Sequence, residues 1–119
     1  MTNHDMKLDT IYYDLILSKK KIYETRVYDP KRQQIKLLDT VTFKDRGSKK
    51  TFKGRITELS YFTSFQDAIL DCGLKKVLPN ARSVKEGVKM YESFPHVEGT
   101  FKEGAKKYGV LRMKFDIIY

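Results

Sequence analysis

The stretch Ser18-Lys19-Lys20-Lys21-Ile22-Tyr23-Glu24-Thr25-Arg26-Val27-Tyr28 changes character in its middle. Its three lysines stand where a helical pattern ends, and the residues that follow are rich in strand formers. In a strand, side chains two apart share a face, so Glu24 and Arg26 project together. Lys21 stands at the turn entering that strand and reaches the same space. A carboxylate held between two cations on a short rigid element is equipped to hold an anionic ligand or to move a proton. A solvated turn followed by an ordinary cross-strand ion pair would give the same pattern, because exposed charge is common and most of it contributes little.

On the N-terminal side, residues 1–5 read as a flexible tail and Met6-Lys7-Leu8 as a short first strand. Asp9 or Thr10 caps a helix carrying Ile11, Leu15, Tyr12 and Ile16 at helical spacing, which stops near Lys19. Lysines in its last turn would suit the helix dipole, and that accounts for Lys19 and Lys20 without a functional role. On the C-terminal side, Ile22 to Tyr28 is a strand and Asp29-Pro30-Lys31-Arg32 turns the chain. Thr40-Val41-Thr42-Phe43 alternates, with Val41 and Phe43 on one face. Arg46-Gly47-Ser48-Lys49-Lys50 is a hairpin loop. Phe52 to Phe62 is a long arm in which Ile56 and Leu59 break alternation, predicting a bulge near Glu58.

Thr63 or Ser64 caps a short helix ended by Gly73. Ser83-Val84-Lys85-Glu86 is a capping box opening a helix with Val84, Val88 and Tyr91 on one face, terminated by Pro95. Residues 96–107 read as an exposed loop, and Leu111, Met113, Phe115 and Ile117 alternate along a last strand. The class is α+β, one domain over 6–119 built as a small, mostly antiparallel mixed barrel flanked by two to three helices.

The 119 residues are 40% hydrophobic and 33% charged, which is a globular rather than a disordered composition. No apolar run approaches the roughly 20 residues a membrane-spanning helix needs, and no secretory signal opens the chain. With one cysteine, Cys72, and two distant histidines, His4 and His96, neither a disulfide framework nor a zinc cage is expected. Cys72 reads as a small buried filler. These features predict an intracellular protein, cytoplasmic or nuclear, with no cofactor and no metal. Residues 19 to 55 hold thirteen lysines and arginines against four acids and so carry the whole net charge of +9. Such a concentrated field captures polyanions in a salt-dependent way. Nucleic acid is therefore the expected partner. A lipid surface is disfavoured, because no basic amphipathic helix accompanies the charge.

The order of elements and several short motifs resemble the ASCH domain, a branch of the PUA-like superfamily. The family signature Gly-x-Lys-x-x-Glu-x-Arg after the first helix is matched by Lys19-x-Lys21-x-x-Glu24-x-Arg26, with lysine for the glycine. The Gly-Asp that opens the next strand is matched by Leu38-Asp39, followed by Phe43. Ser64-Phe65, Leu78-Pro79, the Ser83, Glu86, Gly87, Val88, Tyr91 helix and Tyr108-Gly109-Val110 are similar as well. The resemblance spans roughly residues 6 to 118. It implies a small barrel with a cleft where Lys21, Glu24 and Arg26 meet, and binding of RNA or nucleotides there. Some relatives are hydrolases. Those that deacylate N4-acylcytidine have a lysine matching Lys21 and a threonine at the position of Glu24, and here Thr25 lies on the opposite strand face. Other relatives have been described as ribonucleases.

Three functions follow as expectations. The first is a nucleic-acid-binding module, a monomer, whose ligand is RNA, another nucleic acid, or a nucleotide or nucleoside. Lys19, Lys20, Lys31, Arg32, Lys49 and Lys50 would contact phosphates. Arg26 with Glu24 would read a base, and Tyr23, Tyr28 or Tyr61 would stack unless core packing claims them. The second is a ribonuclease or nucleoside amidohydrolase. There Lys21, its pKa lowered by Lys19, Lys20 and Arg26, acts as base or nucleophile, and Glu24 shuttles a proton or orients it. The third is a protein-interaction module with an acidic partner.

Overall fold

Residues 1–118 are described by a computed structural model; residue 119, the end of the expected domain span, lies outside them. Strand β1 (Asn3–Leu8) leads through Asp9 into helix α1 (Thr10–Leu17), and β2 (Tyr23–Val27) follows. A 3-10 turn (Arg32–Gln34) precedes β3 (Thr40–Asp45) and β4 (Thr51–Phe62). Helices α2 (Phe65–Cys72), α3 (Leu74–Val77) and α4 (Val84–Glu92) come next. A two-residue-per-strand ribbon, β5 (Pro95–His96) and β6 (Gly99–Thr100), opens α5 (Phe101–Tyr108), and β7 (Val110–Ile118) closes the order. None of the described helices is long and apolar enough to cross a membrane.

The five long strands form one curled, half-barrel sheet in the order β1-β3-β4-β7-β2. β1 runs parallel to β3 and every other pairing is antiparallel. The expected alternation in β3 holds, with Val41 and Phe43 fully buried, and the β4 register slips between Ile56 and Glu58 as the broken alternation predicted. The two edges, β1 and β2, are left facing one another across a seam.

Two apolar clusters share the β2–β7 wall. Inside the curl, Met6, Ile16, Val41, Phe43, Leu111 and Met113 are buried together. On the helical side Val27, Phe65, Ile69, Leu78, Tyr91 and Val110 form the second cluster. Alternation along β2 sorts its residues between them: Glu24 and Arg26 lie opposite Met113 and Leu111 of the first cluster, whereas Val27 belongs to the second. Arg112, buried on the helical side, lies 4.5 Å from the Tyr23 ring and 4.8 Å from Phe62, and it donates to the Ala68 carbonyl at 2.6 Å and to Asp71 at 2.8 Å.

Three expectations are corrected. The first strand begins at Asn3, so residues 3–5 are not a tail: Thr2 and Asn3 are tied to Asp39, Thr40 and Thr42, and His4 Nε2 lies 2.9 Å from Asp39 Oδ2. Five α-helices flank the sheet among the described residues, not two or three. Residues 96–107 are not a loop, because Thr100 and Glu103 form a reciprocal cap that starts α5. Gly104, inside this helix, serves close packing. A Cβ there would come within 3.0 Å of Val27, so the glycine lets α5 press onto β2.

Candidate functional site

Lys21 owes its position to the way α1 ends. Ser18 caps the helix, and Lys19 then adopts a left-handed backbone (φ 65°) that reverses the chain. The Lys21 amide bonds back to the Leu15 carbonyl at 2.9 Å, and the Ile22 amide bonds to Lys76 O at 2.8 Å. Lys19 and Lys20 are left outside, exposed and beyond the last helical turn, so the helix dipole does not account for them. Lys21 turns inward and is only 2% exposed.

The Lys21 ammonium donates to the Val77 carbonyl at the end of α3 and to the Tyr91 hydroxyl at 3.1 Å. It lies 3.6 Å from Glu24 Oε1, and 5.6 Å and 5.9 Å from the ring centres of Tyr91 and Tyr12. The other Glu24 oxygen, Oε2, accepts from Arg26 Nε at 3.1 Å and lies 3.0 Å from Arg26 Nη2. Nη2 also donates to Lys7 O of β1 at 2.9 Å, so Arg26 spans the seam between the two sheet edges. Glu24 and Arg26 thus share a face and meet Lys21, as their spacing predicted.

These residues line a cavity of about 260 Å³ with Thr25, Tyr91, Tyr12, Phe94, Phe101 and Leu78 on its walls, and Lys7, Asp9 and Arg46 among the rest of its lining. Thr25 was expected on the far strand face and does lie on the face of Val27. It nevertheless enters the cavity, since β2 is an edge strand and the cavity opens along that edge. Its hydroxyl is buried with no hydrogen-bond partner among the described residues. The Tyr91 hydroxyl is near enough to feel it but falls short of hydrogen-bonding geometry.

The electrostatics reverse one expectation. Burial alone would lower the pKa of Lys21, but the Tyr91 hydroxyl and the Glu24 carboxylate outweigh it and hold Lys21 above the ordinary lysine value. Burial likewise opposes ionisation of Glu24, and Arg26 and Lys21 overcome that to hold the carboxyl below its usual range. The site at neutral pH is therefore ammonium, carboxylate, guanidinium. Lys19 and Lys20 do not depress Lys21, because they point away from it into solvent.

Of the other expected contacts, Lys31 and Arg32 line a second, neighbouring cavity, whereas Lys49 and Lys50 are exposed and line neither. Lys49 Nζ instead donates to Arg46 O at 3.1 Å across its own hairpin loop. Tyr23 is claimed by Arg112. Tyr28 is half-buried and meets Tyr61 edge-on at 4.9 Å, with Tyr61 55% exposed. Cys72 is half-buried, and burial pushes its thiol up. Thr25 and Tyr91 were missed as site residues. Tyr91 carried the signal of an apolar helix face and a place in one motif of the resemblance, and no local spacing joins it to Lys21, 70 residues away.

No protein-family model and no curated protein matches the sequence. Solved structures do match, among them the following two. The crystal structure of the hypothetical protein PH0355 is 35% identical over 98% of this chain and 100% of its own, with a TM-score of 0.83. The solution structure of PF0455 from Pyrococcus furiosus is 33% identical over 98% of both chains, with a TM-score of 0.75. Identity at that level, sustained from end to end on the same curled sheet, places this chain in one protein family with PH0355 and PF0455.

Proposed function

We propose that the chain is an ASCH-type, PUA-like domain that binds RNA by admitting an unpaired base to the Lys21–Glu24–Arg26 cavity. One observation carries this reading: the buried ion trio shares its cavity of about 260 Å³ with the rings of Tyr12, Phe94 and Phe101. Flat apolar walls with a few fixed polar groups at one end suit a heterocycle, which stacks on aromatic faces and hydrogen-bonds along its edge. The unpartnered Thr25 hydroxyl supports the same reading, since a buried polar group normally has a partner and a ligand atom would supply one.

Hydrolysis ranks second. The cavity would admit an N4-acylated cytidine as well as a plain base, but Lys21 and Glu24 stand in the protonation states least suited to a nucleophile and a proton shuttle.

Thr25→Val separates a ligand-facing hydroxyl from a structural one. The swap removes a hydroxyl that has no hydrogen-bond partner among the described residues and keeps the shape. It should leave Tm unchanged or raise stability by about 1 kcal/mol, while weakening calorimetric binding of nucleosides or of a short single-stranded RNA. A lowered Tm with unchanged affinity would contradict the reading. Incubation with N4-acetylcytidine and with RNA, beside Lys21→Ala and Glu24→Gln, tests the second reading. Turnover that those substitutions abolish would promote hydrolysis over binding.

A further inference from the structure

Next to the base cavity lies a larger one, about 520 Å³, lined by six cations, Lys7, Arg26, Lys31, Arg32, Lys44 and Arg46, and a single acid, Asp5. Lys7, Arg26 and Arg46 line both cavities, so the two adjoin along the seam. The groove runs over the outer face of β1 and β3, where Asp5, Lys7, Thr42 and Lys44 project away from the buried Met6, Leu8, Val41 and Phe43.

Two features of this groove are unfavourable in the free protein. The register sets Lys7 directly opposite Lys44 on the parallel β1–β3 pair, and like charges so placed repel. Arg32 is half-buried, and its guanidinium is weakened first by burial and then by the positive charge of Arg26. Arg26 is matched by Glu24, and Arg46 approaches Asp9 at 3.6 Å with both side chains more than half exposed. Lys7, Lys31, Arg32 and Lys44 form no ion pair among the described residues. Those four cations, held close together with no ion-pair partner of their own, offer an external anion a ready set of contacts.

Resting on the base-binding reading of the first cavity, we propose that this groove carries the phosphodiester backbone of a single nucleic-acid strand whose unpaired base occupies that cavity. The charge fits a strand better than a lone phosphate. A phosphomonoester brings roughly −2 at neutral pH, which leaves half of the charge of Lys7, Lys31, Arg32 and Lys44 uncompensated, whereas consecutive phosphates meet them one by one. The phosphate track is thus the groove itself, not the exposed Lys19, Lys20, Lys49 and Lys50.

The test is a titration of the full chain with nucleosides, their 5′-monophosphates, a mixed-sequence single-stranded RNA hexamer and polyglutamate over a range of salt. The hexamer should bind about tenfold or more tighter than the monophosphates at moderate salt, with a log–log salt slope of about −2 or steeper, as three phosphate contacts on a single strand require. The triple variant Lys31→Ala, Arg32→Ala, Lys44→Ala alters residues outside the two apolar clusters and keeps the fold, checked by circular dichroism. It should lose that advantage and flatten the slope while binding nucleosides as before. Lys19→Ala with Lys20→Ala should change neither. A hexamer no tighter than a monophosphate, a triple variant indistinguishable from the parent, or polyglutamate bound as tightly as RNA would each overturn the proposal. If nucleosides fail to bind while the hexamer keeps its slope and its sensitivity to the triple variant, the groove stands and the base cavity falls. If nucleosides bind and the hexamer gains nothing, the groove falls alone.

Discussion

The two cavities use the same residue types to opposite ends. In the inner one every charge of the Lys21–Glu24–Arg26 trio is answered: Lys21 by Glu24, Tyr91 and the Val77 carbonyl, Arg26 by Glu24 and the Lys7 carbonyl. In the outer one Lys7 faces Lys44 and Arg32 has no ion-pair partner among the described residues. Buried charges must be matched within the protein because desolvation would otherwise expel or neutralise them, whereas half-exposed ones are left to water and counter-ions. The inner trio is therefore committed to the fold and the outer cations remain available to a ligand. A basic stretch in a sequence does not reveal which of its members are already spent.

That contrast is open to direct attack. Glu24→Gln strands two buried cations, so it should show the largest loss, about 3–5 kcal/mol by denaturant unfolding. A loss below about 1 kcal/mol would place the trio in solvent-like surroundings. Acid sharpens the same point. The folded carboxyl of Glu24 sits below its unfolded value of about 4.3, so its contribution is present above that pH and is lost as pH falls through the folded value. The stability gap between the parent and Glu24→Gln should close as the solution is acidified. Asp45, drawn down to about 2 by the Ser48 and Thr10 hydroxyls, adds a separate decline between about pH 4 and pH 2 that the variant should retain.

Tyr91→Phe removes one hydrogen bond to a buried ammonium and should cost about 2 kcal/mol, measured as a lowered Tm. Smaller gains are expected at Lys19 and Leu38, non-glycine residues at φ 65° and 71°. Glycine at either position relieves a left-handed backbone and should stabilise by about 1 kcal/mol. Smallest of all, Arg32→Ala should change stability by no more than about 0.5 kcal/mol, since it removes a cation that repels Arg26. A large loss there would show that Arg32 is structural after all.

Local pattern made part of this molecule legible. Alternation located the buried Val41 and Phe43, its interruption located the slip before Glu58, and the two-residue spacing of Glu24 and Arg26 brought them together beside Lys21. What escaped depends on partners distant in sequence. The N-terminal strand is polar and becomes a strand only against Thr40–Asp45, and α5 carries a glycine whose purpose is contact with Val27. Tyr91 enters the site only once α4 is brought against the buried Lys21 ammonium. The two places where the chain lacks the glycine of the signature it resembles, Lys19 and Leu38, are the two non-glycine residues with a left-handed backbone outside the β3–β4 hairpin loop among the described residues.

The most direct test of the account is an NMR titration of isotope-labelled protein with a short single-stranded RNA. Amide shifts should change together at Thr25, Arg26 and Tyr91 of the inner cavity and at Arg32 and Lys44 of the groove, and stay still at Lys19 and Lys20. Shifts confined to the exposed lysines, with Thr25 and Tyr91 unmoved, would contradict it.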